Sequence, residues 1–422
     1  MSHIHHECEL ERHIVEQLEA AGWRVGKSAD YDATRALFPE DVIGWLDDTQ
    51  PQAMAKLRAM NGAGTEAVIL DRLVKQLENK AEGGTVNVLR YGFAVAGGGT
   101  LAMSQGLPED ERNDTVIQRY AANRLRVVPQ LRYSLDKTDE IDLAFFINGI
   151  PVATVELKTD FTQSVQAAMQ QYCMDRRPER KSGGTEPLLT FKRGAVVHFA
   201  MSDSDIRMTT RLAGDSTFFL PFNRGNDGAA GNLPCEDGYP VSYFWERVLQ
   251  KDNWLHIFQR FVLQERKEAQ DASGKTYYKE ALIFPRFHQW EGVTRMIDAV
   301  RVEGVGQPYL IQHSAGSGKT NTIAWTAHSL IRVRRLDGEP YFHSVIVVTD
   351  RQVLDQQLQD AIQQIEHQAG VVCAIDRQQS SLPKSQQLAK AMLDGVPIIV
   401  CTLQTFPYAQ KAILGEQSLR NR

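Results

Sequence analysis

The sequence predicts an α/β protein in two parts: a mixed sheet flanked by helices, then a parallel-sheet domain built around a phosphate-binding loop. Three observations predict it. Between Arg124 and Lys158, short apolar blocks are separated by Asn148-Gly149, the strongest short-range hairpin signal a sequence offers. After Phe284, buried-type strands alternate with helical stretches, the pattern of a parallel sheet. Between two such elements lies His313-Ser314-Ala315-Gly316-Ser317-Gly318-Lys319-Thr320, close to the GxxxxGK[ST] phosphate loop.

The elements follow in order. Glu7 to Trp23 reads as an amphipathic helix, with Leu10, Ile14, Val15, Leu18 and Ala21 at helical spacing and Gly22 as its stop. Strands are expected at Leu125–Val128, Ile141–Ile147 and Ile150–Lys158, then a helix over Ser164–Asp175 and strands at Ala195–Ala200 and Phe218–Phe222. Asn223 to Gly238, dense in Gly, Asn and Asp, reads as a long loop near a boundary. Tyr243 to Lys267 looks helical, burying Trp245, Val248, Leu249, Trp254, Ile257, Phe258, Phe261 and Val262. Beyond it, strands are expected at Tyr309–Ile311, Val345–Val348 and Ile398–Cys401, with a helix over Thr322–Ile331. The resulting division is 1–235, a helical connector over 236–280, and 281–422.

The bulk numbers restrict the classes. A chain of 422 residues has room for two or three domains of roughly 100–200 residues each. Hydrophobic residues at 42% and charged residues at 23% suit a packed globular protein rather than a disordered one. The net charge of −5 does not advertise nucleic acid, yet a basic groove can coexist with acidic surface elsewhere. The runs Arg176-Arg177-Pro178-Glu179-Arg180-Lys181 and Arg332-Val333-Arg334-Arg335 read as solvated faces. Five scattered cysteines with no CxxC pair argue against a disulfide framework and a zinc ribbon. His3, His5, His6 and Cys8 have metal-ligand chemistry but sit at a free terminus, where order is rare. No apolar run reaches the roughly 18 residues of a membrane span, so no membrane partner and a cytoplasmic location are expected.

Gly316 and Gly318 let the loop wrap so that its N–H groups face phosphate oxygens, and the following helix adds its positive end. Lys319 would reach the β- and γ-phosphates of ATP, Thr320 would hold Mg²⁺, and Ser317 completes the cradle. His313 stands where the first Gly is usual. Ser273-Gly274-Lys275-Thr276 repeats the tetrapeptide without an apolar strand before it and reads as a surface turn.

Upstream, Phe284-Pro285-Arg286-Phe287-His288-Gln289 resembles the Q motif of superfamily 2 helicases, which would make Gln289 the adenine-selecting residue. Downstream, Val345–Val348 running into Thr349-Asp350-Arg351 resembles helicase motif Ia. Ile398–Cys401 running into Thr402-Leu403-Gln404-Thr405 resembles motif Ib. Hydroxyls and amides at strand ends can bind backbone phosphates without reading bases; the bland alternative is that Thr349 and Thr402 cap the next element. No strand ending in Asp-Glu follows before Arg422, so ATP is expected to be bound but hydrolysed poorly.

Across the Asn-Gly hairpin, Asp142, Glu156 and Lys158 give D…ExK. Two converging carboxylates form a hard-oxygen site suited to Mg²⁺, which polarises a scissile phosphate and generates hydroxide. Lys158, two residues beyond Glu156, shares its strand face and could position the attacking water. A plain two-residue turn pairs Asp142 with Val155 and sends Glu156 to the opposite face. A shared metal therefore requires a three-residue loop or a bulge near Pro151. Charged residues on an exposed hairpin face are the bland alternative.

Taken together, these stretches resemble the N-terminal part of the R subunit of type I restriction endonucleases, the HsdR family. The resemblance rests on Asp142-Leu143, Phe145 to Lys158, Leu220-Pro221-Phe222-Asn223-Arg224-Gly225, Phe284 to Gln289 and the phosphate loop, in that order. It implies a PD-(D/E)XK nuclease domain with Asp142 and Glu156 as metal ligands and Lys158 catalytic, then the first, incomplete RecA-like lobe. It also implies ATP and Mg²⁺ as cofactors, double-stranded DNA as substrate, methylation (M) and specificity (S) subunits as partners, and a fragment or truncated product. Glu11 would be an acid that some members carry on the first helix. The family's QxxxY motif is imperfect: Tyr172 fits, but Ala168 precedes it by four, leaving Gln166, Gln170 or Gln171 as substitutes. The rival readings are a DNA translocase whose hairpin is structural only, and an inactive docking fragment.

Overall fold

In a computed structural model of the chain, the described residues are 4–79, 81–108, 112–160, 164–236, 238–270, 274, 276–335, 337–350, 352–365, 371–375 and 382–405. His3 and the side chains of His5 and His6 lie outside this set. The chain divides into two units, Met1–His288 and Gln289–Arg422.

The first unit opens with α1 (Ile4–Ala20), then β1 (Arg24–Val25), α2 (Pro39–Thr49), α3 (Pro51–Asn61), α4 (Thr65–Leu77), α5 (Thr85–Tyr91), β2 (Phe93–Val95), β3 (Gly99–Leu101) and α6 (Asp114–Ala122). Leu10, Ile14 and Leu18 bury the apolar stripe of α1 as their spacing predicts. Both α2 and α3 begin on a proline, whose fixed φ and missing N–H suit the first helical turn.

The unit's main sheet then forms from β4 (Leu125–Arg132), β5 (Glu140–Ile147), β6 (Ile150–Leu157), β7 (Val197–Met201), β8 (Ile206–Thr209) and β9 (Leu220–Pro221), with α7 (Val165–Met174) crossing between β6 and β7. The order is β1-β4-β5-β6-β7-β8-β9. The β1–β4 and β6–β7 pairs are parallel and the others antiparallel. This is a mixed sheet, and β6 at its centre is buried at all eight positions. Val128, Ala144 and Phe146 on one face pack against Val165, Ala168 and Tyr172 of α7.

After β9 comes an irregular loop, bridged at Gly225 and Asn232, and then helical turns: Phe244–Val248, α8 (Lys251–His256) and Ile257–Phe261. Every residue expected on the apolar face of this stretch is buried. The expectation of helix as far as Lys267 is corrected. From Leu263 the chain forms an antiparallel hairpin, β10 (Leu263–Gln270) with β11 (Thr276–Ile283), so the connector expected to be helical is half ribbon. Gln264 to Glu268 offer no apolar residue for a helical stripe to bury, whereas a ladder satisfies their backbone regardless of side chain. Arg266 stacks 4.0 Å above the Tyr278 ring across it. Ser273 and Lys275 of the decoy tetrapeptide lie outside the described residues.

From Phe287 the chain continues as α9 (Phe287–Glu303). The second unit holds α10 (Lys319–Leu330), β12 (Val345–Thr349), α11 (Gln352–Ile365), β13 (Val372–Ala374), α12 (Lys384–Leu393) and β14 (Ile398–Thr402). Its sheet is parallel, in the order β12-β14-β13. Ala324, Ala327, Leu358 and Ile362 of α10 and α11 pack on Ile398 and Val400 of β14. Leu388 and Ala391 of α12 pack on Ile399 and Cys401, the opposite face. Alternation of buried side chains on β14 thus produces a three-layer α/β arrangement.

One expected strand is absent. Tyr309–Ile311 has no regular secondary structure and joins no ladder among the described residues, and Leu310 is 88% exposed. An apolar run becomes a strand only where another strand offers its edge.

Candidate active site

The site in the first unit begins with a turn. Asn148 and Gly149 both have positive φ, 49° and 81°, which a two-residue hairpin turn of the primed type requires. Asn148 is well suited: its side chain accepts from Arg124 N–H and donates to Met103 and Asn123. At Gly149 a Cβ would stand 2.4 Å from the Phe38 carbonyl oxygen, so only glycine fits.

Ile147 faces Ile150 and Phe146 faces Pro151, but Phe145 faces Ala153. Val152 is therefore an extra residue, a β-bulge. The irregularity that a shared metal required is present, one residue beyond Pro151. With Leu143 opposite Val155, the next step places Asp142 across from Glu156, on the same face. On the other side of β5, Pro129 faces Leu143 and Leu131 faces Ile141, so Gln130 completes a row of Gln130, Asp142 and Glu156.

Glu156 is fully buried. Its Oε1 accepts from Arg176 Nε at 2.5 Å, and its Oε2 has no hydrogen-bond partner among the described residues. Burial, then the like charge of Asp142, push its pKa up to about 8 against the lowering by Arg176 and Lys158. Asp142 Oδ2 accepts from the Leu157 N–H at 2.7 Å. Lys158 Nζ donates to the Leu157 carbonyl at 2.7 Å and lies 3.6 Å from Glu7 Oε2.

The first helix adds a further carboxylate. Glu11 accepts a hydrogen bond from Gln130, whose own φ is +46°. Its pKa is pushed up to about 7, by burial first and by the charges of Asp142 and Glu140 against the Gln130 hydrogen bond. Tyr172 is buried in the α7 interface, its hydroxyl 2.8 Å from Thr154 Oγ1, which lies 2.7 Å from His198 Nδ1.

Arg176 was hidden in the sequence. The run from Arg176 to Lys181, expected as a solvated face, is corrected at its first member: Arg176 is 7% exposed and binds Glu156 and the Glu140 carbonyl. Its position just past the end of α7, four residues beyond Tyr172, was the available signal.

Among the described residues, no group of three or more His, Cys, Asp or Glu is arranged to hold a metal ion. Mg²⁺ needs no such cage, because it keeps several waters and takes one or two carboxylates. A part-buried Asp142 and the unpartnered Glu156 Oε2 fit that requirement.

In the second unit, Gly318 caps α10 in the left-handed conformation and Gly316 also has positive φ, 81° and 73°. His313 is not among the positive-φ residues, so its backbone does not need glycine. Lys319 begins α10 and folds its Nζ back to the carbonyls of His313 and Ser314 at 3.2 and 3.0 Å. Ser317 is buried and Thr320 part-buried. Gln289, from α9, is buried and donates to the Gly318 carbonyl at 3.0 Å, which ties the Q-motif residue to the phosphate loop. Thr349 and Thr402 pair at the carboxyl ends of β12 and β14. Thr402 bonds Thr405 at 3.1 Å and Gln404 reaches the Asp350 carbonyl at 3.4 Å; Arg351 lies outside the described residues.

Geometry therefore defines a mixed-sheet domain with a two-carboxylate, one-lysine cluster, joined in sequence to an ATPase-type domain; residues 288–421 match the SWI2/SNF2 ATPase model. Residues 6–217 match the model of the type I restriction enzyme R protein N terminus, and the chain belongs to that family. It is also 24% identical over 364 residues to the type I restriction enzyme HindI endonuclease subunit of Haemophilus influenzae, covering 83% of this chain and 32% of that protein. The chain thus spans about a third of the length of this curated relative. No helix among the described residues is long and apolar enough to cross a membrane.

Proposed function

We propose that this chain supplies the DNA-cutting and nucleotide-gripping parts of a type I restriction endonuclease. In this reading the first unit is a PD-(D/E)XK nuclease domain and the second a RecA-like lobe. Asp142 and Glu156 would hold Mg²⁺, which when bound would polarise a phosphodiester and supply hydroxide. Lys158, fixed by Glu7 and the Leu157 carbonyl, positions the attacking water and stabilises charge developing on the phosphate. Glu11 is close enough to raise the negative potential around Asp142 and helps attract the cation. In the second unit the N–H groups of Gly316, Ser317 and Gly318 would cradle ATP phosphates, Lys319 would exchange the loop carbonyls for the phosphates, and Thr320 would hold Mg²⁺. Gln289 selects adenine while braced on Gly318. Translocation of double-stranded DNA and assembly with methylation and specificity subunits are what the resemblance to the R subunits of type I restriction endonucleases implies.

The bulge at Val152 carries this reading, because without it Glu156 faces away from Asp142. Plasmid cleavage with Mg²⁺ tests it, comparing the chain with Asp142→Ala. Cleavage that needs Mg²⁺ and disappears in the variant is expected. Equal cutting by both proteins, or none by a chain that still binds ATP, removes the nuclease assignment.

A further inference from the structure

The carboxylate of Glu156 is divided between two tasks. Oε1 is engaged by Arg176, 2.5 Å away, while Oε2 is buried with no partner among the described residues. The same guanidinium places Nη2 2.6 Å from the Glu140 carbonyl oxygen. Glu140 is two residues before Asp142 on β5, hence on the same strand face. One planar fork therefore spans from the side chain of one acid to the backbone beside the other.

The placement follows from the end of α7. Tyr172 of α7 meets Thr154 of β6. The helix stops at Met174, and Arg176 follows in the turn beyond it with its N–H held by the Gln171 carbonyl at 3.3 Å, while Glu156 stands two residues past Thr154, about 6.6 Å along the strand. With Tyr172 seated, Arg176 arrives at Glu156. The arginine is itself 7% exposed and its aromatic neighbour Tyr133 lies 6.0 Å from its guanidinium carbon, so it has little room to turn away.

We propose that Arg176 is the positioning residue of the metal site, clamping Glu156 by one oxygen so that the other is presented as a single fixed ligand beside Asp142. This inference rests on the metal-dependent reading above and adds to it a residue outside the D…ExK pattern. Arg176 does not touch the ion. It acts through orientation, and the two-point contact is the part that matters: a lysine keeps the charge but cannot bridge Glu156 and the Glu140 carbonyl together.

Mn²⁺ binding to the nucleotide-free chain, followed by loss of the free-ion electron paramagnetic resonance signal, tests this without using cleavage. Asp142→Asn marks the loss of the site. Arg176→Met and Arg176→Lys are each expected to weaken Mn²⁺ binding by about 10–100-fold, the range seen when a residue orienting a metal ligand is removed. Near-ultraviolet circular dichroism confirms that each variant is folded, and the milder lysine variant serves if methionine prevents folding. Folded variants that bind Mn²⁺ as tightly as the parent, or more tightly because a nearby cation has gone, overturn the proposal. Failure of the parent itself to bind Mn²⁺ in an Asp142-dependent way overturns the metal reading and this inference with it. Binding lost in Asp142→Asn but kept in both Arg176 variants overturns this inference alone.

Discussion

Replacing Glu156 by glutamine should stabilise the first unit at alkaline pH while removing a ligand of the proposed metal site. Glu156 is fully buried, and its pKa rises from the ordinary 4.5 to about 8. The folded chain therefore holds a proton that the unfolded chain releases between those values. Stability from this group is complete below about pH 4.5 and is lost as pH rises through about 8. At 1.36 kcal/mol per unit the loss reaches about 3–5 kcal/mol by pH 9. Glutamine keeps a carbonyl acceptor for Arg176 and never acquires the charge, so the variant escapes the loss. Hydrogen–deuterium exchange on peptides from 140–157 reads this strand without mixing in the second unit, once corrected for the pH dependence of intrinsic exchange. Parent and variant should be similarly protected near pH 4.5, and the variant increasingly better protected toward pH 9. Added Mg²⁺ should narrow the gap at pH 9, because the ion stabilises only the ionised parent. A gap that does not change with pH would refute the argument, since it would mean that Glu156 is not a buried acid without full compensation.

Three other outcomes follow from the same geometry. Lys158→Ala should lower Mg²⁺-dependent cleavage by about 10²–10⁴-fold while Mn²⁺ affinity stays within about threefold, measured on one preparation; a parallel loss of both would make Lys158 part of the metal site instead. Lys319→Ala should weaken ATP binding by at least about tenfold, since charge-assisted bonds to phosphate are lost, and Gly318→Ala should do likewise, because a Cβ there stands 2.5 Å from Gln289 Nε2 at φ +81°; fluorescent-nucleotide titration distinguishes these from no effect. His198 has the opposite pH sense: burial lowers its pKa from 6.5 to about 3, so its contribution is present above 6.5 and fades as pH falls toward 3, and His198→Asn should flatten the acid limb of exchange in peptides covering β7.

The parts of this fold that were legible in the sequence are those fixed over a few residues. Asn148-Gly149 specifies its turn through local φ, and the expectation that two acids share one face requires a bulge after it, which appears at Val152. The phosphate loop was legible because glycine and lysine spacing encodes a backbone shape directly. Arg176 was not, because what makes it a site residue is a contact with Glu156 twenty residues away, and in sequence it is one of several basic residues in a row. The β10–β11 ribbon was missed for a related reason. Polar residues such as Gln264 to Glu268 carry little periodicity, so the partner strand, not the residues themselves, decides their conformation. Tyr309–Ile311 fails in the other direction, with strand-like residues but no strand beside them among the described residues.

Burial of an acid is not by itself a sign of a site, and the chain contains its own comparison. Asp41 is as buried as Glu156, but both its oxygens are taken: Oδ2 by Arg126 Nε at 2.5 Å, and Oδ1 by Arg126 Nη2 at 3.0 Å and Arg24 at 3.2 Å. That carboxylate is matched by its cations and joins α2 to β4. Glu156 has one arginine on one oxygen, and a second acid, Asp142, where a second cation would be needed. A strand buried on both faces does not tolerate an uncompensated charge, so the position must either stay protonated or receive a cation from outside. The difference between Asp41 and Glu156 is therefore one missing positive charge, located beside Asp142 and Lys158. In the metal-dependent reading proposed above, a hydrated divalent ion would supply it.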